Sequence, residues 1–541
     1  MRSFAFASIT LLLYAVSWSC GPGAGSGDAD ADTDADTDAD ADTDTVQPDH
    51  VNYLVVTTDG LAEVAAEFAR YRNRTGFRAE VHRASELAAA PYTAAAMVTA
   101  VHGVLDAAVT AAPAGAPIFL LLLGDAPGAE EPANDLLPVT ICENNYGDCF
   151  TDNTYGDLDG DRIPEVAVGR IPARTPERAR AYLEKLEAHE SEYEPGLWNR
   201  RLSLYTGQGG YGEEIDGMIE MMVLEGLKVV DHAFDIIGAY DNPASPYYYT
   251  PFQDKVVELI NAGNLITMYI GHGSEGWTQG LPIERMGEIR CEHRYPLAFF
   301  FACLTGAFAG EEDAISEMFL FKPDGAVTVF ASSDISHPYG NAVLPYETQR
   351  ALLNARADTL GEALLLTKRQ AIENEDEMRS LMDSFAALAG VLEEEREVLR
   401  YQHNDLYNLL GDPAVSIRYP RAEIDLAGAV EGSYRSGRLT VRGAAPGLNQ
   451  GTALVSLECE RDQILEELEE IDPQNPDPAK VQRNWAKAVD MVVTEKSVPV
   501  EGDGAFEATL EFRSDLPRGD YYIKAYADDG KRDAFGYIAA P

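Results

Sequence analysis

Residues 265–308, LITMYIGHGSEGWTQGLPIERMGEIRCEHRYPLAFFFACLTGAF, decide the fold. Two apolar runs, LITMYI and PLAFFFA, are rich in β-branched and aromatic residues and have the length of strands buried on both faces. The first stops at His272, followed by Gly273; the second stops at Cys303, with Gly306 close behind. In an open α/β sheet the carboxyl ends of neighbouring parallel strands face one crevice. If these runs are neighbours, His272 and Cys303 meet across it. An imidazole with a pKa of about 6.5 can take a proton from a thiol of about 8.5, and the thiolate is the nucleophile. Gly273 has no Cβ, so its N–H can approach a developing oxyanion.

Three further segments follow a fixed order around this pair: GDAP (124–127), DLDGDRIPEVAVGRIP (157–172) and YNLLGDPAV (407–415). Together with HGSEGW and ACLTGAF, they make residues 52–419 similar to the gingipain-like cysteine peptidases. The resemblance implies a caspase-like open sheet flanked by helices, in two α/β subdomains. It implies that His272 is the catalytic histidine and Cys303 the nucleophile. By analogy with caspase-like sites, the N–H groups of Gly273 and Cys303 are the oxyanion donors. It also implies protein or peptide substrates, cleavage after basic P1 residues, and no cofactor for the chemical step.

On this reading the chain divides into a signal at 1–20, an Asp-rich linker at 21–50, an N-terminal α/β subdomain at 51–200, a catalytic subdomain at 201–420 and a β-sandwich at 421–541. A chain of 541 residues, 45% hydrophobic, can bury a core of that size. Its net charge of −48 argues against a nucleic-acid partner. Arg2 precedes an apolar stretch at 4–16, and Cys20 stands where a signal would be cleaved. This resembles a bacterial lipoprotein signal and implies export, with lipidation of Cys20 tethering the protein to a membrane; plain secretion is the alternative. The Asp/Ala/Thr repeat to residue 45 cannot bury a core and reads as a charged leash.

In the first subdomain, strands at 53–58, 76–82 and 118–123 alternate with helices at 62–74 and 97–109. Cys142 and Cys149 bracket a short loop and, in an exported protein, are expected to form a disulfide. Asp157, Asp159 and Asp161, with Glu165 beyond, offer hard oxygen ligands on a tight turn and suit a structural calcium ion; the alternative is carboxylates bonded to local N–H groups.

In the catalytic half, the glycine-rich loop GQGGYGEE (207–214) lacks both the phosphate-loop ending and the dinucleotide spacing, which excludes nucleotide binding. Glu213, Glu214 and Asp216 are candidates to orient His272, with helix capping as the other role. Residues 227–231 (LKVVD) read as a strand, 375–399 as one charged helix, and Cys291 as lying among polar residues. Trp277 is placed in a substrate-pocket wall, and Ser332, Ser333 and Asp334, after a strand at 325–331, line the same pocket.

After Pro420 short period-two strands resemble an immunoglobulin-like sandwich, interrupted by an acidic insertion at 460–480 that reads as helical at first. The functional expectation is a cysteine endopeptidase. Its rivals are an inactive surface adhesin or scaffold, and a transpeptidase using the same cysteine.

Overall fold

Runs in which every side chain is buried, such as YLVVT, FLLLL, LAFFF and TVFAS, build the centre of the protein. The computed structural model describes residues 47–127, 135–192, 194–210, 212–426 and 430–541, and only the backbone of 213–215. The signal, Cys20 and nearly all of the Asp-rich linker lie outside the described residues.

The chain opens with β1 (Tyr53–Thr57), α1 (Ala62–Arg74), β2 (Ala79–Arg83), α2 (Ala84–Leu87), α3 (Ala94–Ala111) and β3 (Phe119–Leu123). The hairpin β4 (Thr140–Asn144) and β5 (Gly147–Thr151) leads to β6 (Ala167–Ile171) and α4 (Pro176–Ser191). Next come β7 (Arg201–Thr206), α5 (Glu213–Lys228), β8 (Asp235–Tyr240), α6 (Phe252–Ala262) and β9 (Ile266–Ile270). A small hairpin, β10 (Gly273–Ser274) and β11 (Trp277–Thr278), precedes β12 (Leu297–Phe301), α7 (Ile315–Phe321) and β13 (Thr328–Ser332). Helices α8 (Gly340–Gln349), α9 (Leu360–Glu373), α10 (Glu377–Leu388) and α11 (Glu393–Leu406) lead to β14 (Tyr407–Leu410).

Ten of these strands form one sheet in the order β2-β1-β3-β6-β14-β13-β12-β9-β7-β8. The two expected α/β segments therefore share a continuous sheet, with β14 between them and antiparallel to β13. Buried ion pairs lock the first half. The fully buried Arg170 donates to both oxygens of Asp152 at 2.7 Å and to the carbonyls of Gly124 and Leu137. It also lies over the Phe308 ring of the ACLTGAF segment. Arg72, equally buried, bridges Asp412 and Glu190, and Tyr53 donates to the same Asp412 oxygen at 2.7 Å. The aspartate of YNLLGDPAV is thus a structural anchor.

Three local expectations are corrected. Residues 227–228 end α5 rather than starting a strand, and the next strand is β8 at 235–240. Val229 and Val230 form the turn that leaves the helix. The charged region 375–399 is two helices, because Gly390 adopts φ +91° and Glu395 accepts the Leu392 N–H to start α11. The helix of the acidic insertion, α12 (Pro478–Val489), begins only after Pro473 and Pro476, where Asp477 caps it at Ala479 and Pro478 takes the first helical position.

The last part is a two-sheet sandwich. One sheet contains β15 (Ala422–Glu423), β18 (Thr452–Cys459), β19 (Val492–Pro499), β21 (Tyr521–Asp528) and β22 (Asp533–Ala539); the other contains β16 (Val430–Ser433), β17 (Arg438–Ala444) and β20 (Ala505–Glu511). Leu439, Val455, Phe506 and Ile523 fill its core. The sandwich packs against the edge strand β8. Trp485 donates to the Gly238 carbonyl at 2.9 Å, and the Arg461 guanidinium donates to carbonyls of Leu227, Val230, Asp231 and Phe234. An otherwise open strand edge is covered in this way.

Candidate active site

Strands β9 and β12 are parallel neighbours, with Ile270 opposite Phe301. His272 and Cys303 each follow two residues beyond that pair. The Gly271 N–H extends the ladder to the Phe301 carbonyl at 3.3 Å. Both side chains line one cavity of about 480 Å³. His272 is exposed and Cys303 half-buried. Gly273 presses on the nucleophile loop: a Cβ there would fall 2.8 Å from Thr305 Cγ2 and 3.0 Å from the Cys303 carbonyl oxygen. No larger residue fits unless the loop shifts.

The orientation of His272 comes from the glycine-rich loop after β7. Its Nε2 lies 2.8 Å from the Gly209 carbonyl oxygen. A carbonyl only accepts, so Nε2 carries the hydrogen and Nδ1 is the basic nitrogen. A main-chain carbonyl, which no sequence motif announces, is therefore one partner of His272 among the described residues. Asp216 accepts the Gly210 N–H at 3.1 Å and lines the cavity. The side chains of Glu213 and Glu214 lie outside the described residues.

The cavity walls come from far along the chain. Met218, Met222 and Val223 of α5, Pro345 and Tyr346 of α8, and Phe385 of α10 make an apolar lining. Asp216 and Glu220 contribute carboxylates, and among the described lining residues there is no lysine or arginine. Burial raises the Glu220 carboxyl, which accepts from Asn242 Nδ2 at 3.1 Å. The amphipathic spacing of α5 was the available signal for this wall.

The loop after β13 is a wall, but through other residues than expected. Ser332 and Ser333 are buried and donate to the carbonyls of Asp334 and Phe150, and the Asp334 carbonyl accepts the Leu304 N–H at 3.0 Å. These residues brace the loop, and Ser336, His337, Pro338 and Tyr339 line the cavity instead. Trp277 is 40% exposed on its hairpin and is not part of the lining. Cys291, read as lying in polar surroundings, is buried; burial pushes its thiol and that of Cys459 up to about 12 each.

Cys142 and Cys149 are joined by a disulfide across the β4–β5 hairpin. Oxygens of Asp157, Asp159 and Glu165 lie within 4.8 Å of one another. Asp161 is outside this group and accepts the Ile163 N–H at 2.7 Å. Asp157 accepts from Gly160 and Arg162, and Glu165 from Leu158, so local N–H groups already meet these carboxylates. Burial and the three neighbouring aspartates raise the Glu165 carboxyl.

The profile of peptidase family C25 matches residues 46–418, most of the chain. Lys-gingipain of Porphyromonas gingivalis is 25% identical over 292 residues, which are 53% of this chain and 16% of that protein. Lys-gingipain HG66 of the same species is 24% identical over an equal length. The match thus spans about a sixth of the length of these curated relatives. Among solved structures, the Arg-specific cysteine proteinase gingipain R superposes with a TM-score of 0.51 at 17% identity, covering 92% of this chain and 99% of that one. A structure described as a protease superposes with a TM-score of 0.54 at 16% identity, covering 90% and 97%. At these identities the two superpositions speak for the fold alone.

Proposed function

The chain belongs to peptidase family C25, and on that premise we propose that it is a cysteine endopeptidase working through His272 and Cys303. The observation that carries the reading is the placement of both side chains two residues past paired strand ends, on the wall of one cavity. His272 Nδ1 takes the Cys303 thiol proton, and the thiolate adds to the scissile carbonyl carbon. The N–H groups of Gly273 and Cys303 receive the oxyanion. As the C–N bond breaks, the imidazolium returns its proton to the leaving amine. Water then hydrolyses the thioester and the thiol is restored.

The substrate is a protein or peptide with lysine or arginine at P1. The apolar lining suits the methylene stem of such a residue, and Asp216 and Glu220 suit its cationic head. We place a calcium ion on Asp157, Asp159 and Glu165, where it neutralises converging carboxylates and stiffens their turn. Export, with Cys20 as a lipid anchor, completes the reading.

The test uses peptides differing only at P1, assayed with the wild type and with Cys303→Ala. Cleavage after Lys or Arg that is lost in the variant supports the reading. A purified wild type that cleaves nothing under reducing conditions favours an adhesin or scaffold. Products joined to an added amine in place of hydrolysis identify a transpeptidase. A melting temperature raised by calcium and lowered again by a chelator supports the ion.

A further inference from the structure

Cys303 Sγ has close polar neighbours from a segment 33 residues later in the chain. The Ser336 backbone N–H points at Sγ from 3.4 Å, and the Ser336 hydroxyl oxygen lies 3.7 Å from it. The carbonyl of the same residue is 3.6 Å away and can accept the thiol hydrogen. Ser336 is itself buried, at 5% exposure, on the cavity wall. Its hydroxyl is held from behind. Asn341 Nδ2 donates to Ser336 Oγ at 2.8 Å, and Asn341 Oδ1 accepts the Tyr407 hydroxyl at 2.6 Å. Tyr407 is fully buried at the start of β14, where its ring packs against Phe301 and Phe330. Phe301 ends the strand that delivers Cys303.

These contacts have a direction. Because Asn341 Oδ1 is taken by the tyrosine hydroxyl, its Nδ2 faces the serine. The serine oxygen therefore accepts from the asparagine, and its own hydrogen is free to turn elsewhere. Two acceptors are near it, the Tyr407 hydroxyl and Sγ. When the thiol loses its proton, the negative sulfur is the stronger acceptor, since hydrogen bonds to ionised groups are roughly twice as strong as neutral ones. The resting thiol is thus satisfied by the Ser336 carbonyl, and the thiolate by the Ser336 N–H and O–H.

From this geometry we infer that Ser336 is a catalytic residue that stabilises the Cys303 thiolate, and that Asn341 and Tyr407 are the positioning residues that aim its hydroxyl. The inference rests on Cys303 being the nucleophile, but its test reads the thiol and not the peptidase activity. It gives the loop after β13 a second task beside walling the substrate cavity. It also gives the sulfur a source of stabilisation separate from the imidazole.

The experiment is the rate of Cys303 alkylation by iodoacetamide, a neutral reagent, followed against pH by mass spectrometry on the full chain. Ser336→Ala should slow alkylation about tenfold at pH 6 and leave the rate above the thiol pKa nearly unchanged. Ser336→Thr, which keeps the hydroxyl, should restore most of the wild-type curve. Asn341→Ala should shift the curve in the same direction by less, and should add nothing in the Ser336→Ala background. The same shift for Ser336→Ala in a His272→Ala background separates the serine from the imidazole. Superimposable wild-type and Ser336→Ala curves, for variants with unchanged melting temperature, overturn the inference. So do additive effects of the Asn341 and Ser336 changes. Retained peptidase activity in Cys303→Ala would sink the parent reading instead, whatever the alkylation curves show.

Discussion

The carboxyl ends of β3 and β6 and those of β9, β12 and β13 belong to one sheet but treat their polar groups in opposite ways. At the first, Asp125 is met by Arg174, and Arg170 is fully buried with two oxygens of Asp152 and backbone carbonyls around it. At the second, His272 is exposed, Cys303 is half-buried, and Glu220 faces a cavity without a lysine or arginine among its described lining residues. A charged pair sealed from water fixes geometry and has no capacity left for a ligand. A strand end whose polar groups face open space retains that capacity. The rule that sites lie at strand ends gives two candidates here, and pairing decides between them.

Substitutions at the two ends should therefore part stability from activity. Cys303→Ala should cut peptide cleavage roughly ten-thousand-fold or more while leaving the melting temperature within error of the wild type; equal losses of both would erase the distinction. Arg170→Met should do the reverse. It leaves Asp152 buried without its partner, at a cost of about 3–5 kcal/mol in denaturant unfolding, and any surviving folded fraction should cleave normally.

Glu317 is an intermediate case, because it is buried near Asp125 and burial pushes its carboxyl up to about 8 from 4.5. The folded protein therefore holds a proton that the unfolded chain releases at lower pH, and stability from this group falls as pH rises from about 4.5 to about 8. Glu317→Gln should remove that slope. The variant should gain on the wild type across this window by an amount on the order of a few kcal/mol at pH 8, and by nothing at pH 4. Melting curves at the two pH values check it, and a constant offset would contradict the sign.

The smallest expected effect is on selectivity. Glu220→Gln should lower kcat/KM for Lys and Arg peptides about ten- to a hundredfold and leave an Ala peptide unchanged. A uniform loss would move Glu220 from the substrate wall to the supporting structure.

What the sequence made legible was local. Buried strands lead to His272 and Cys303, and a helix follows the glycine-rich loop that begins at Gly207. What it hid was contact between distant residues. Asp412 of YNLLGDPAV anchors Arg72 and Tyr53, 340 and 359 residues away in the chain. One partner of His272 among the described residues is a carbonyl, which carries no side-chain signature. The loop at 332–339 lies on the cavity wall, but Ser332 and Ser333 turn to carbonyls that brace it and Ser336 reaches the sulfur. The break at Gly390 was visible as Ala-Gly before a run of glutamates; length and charge masked it.

The most direct measurement maps where a peptidyl acyloxymethyl ketone attaches. The account predicts a thioether on Cys303, none on the buried Cys291 or Cys459, and labelling that collapses in His272→Ala. Label on Cys291, or undiminished labelling of Cys303 without the imidazole, would contradict it.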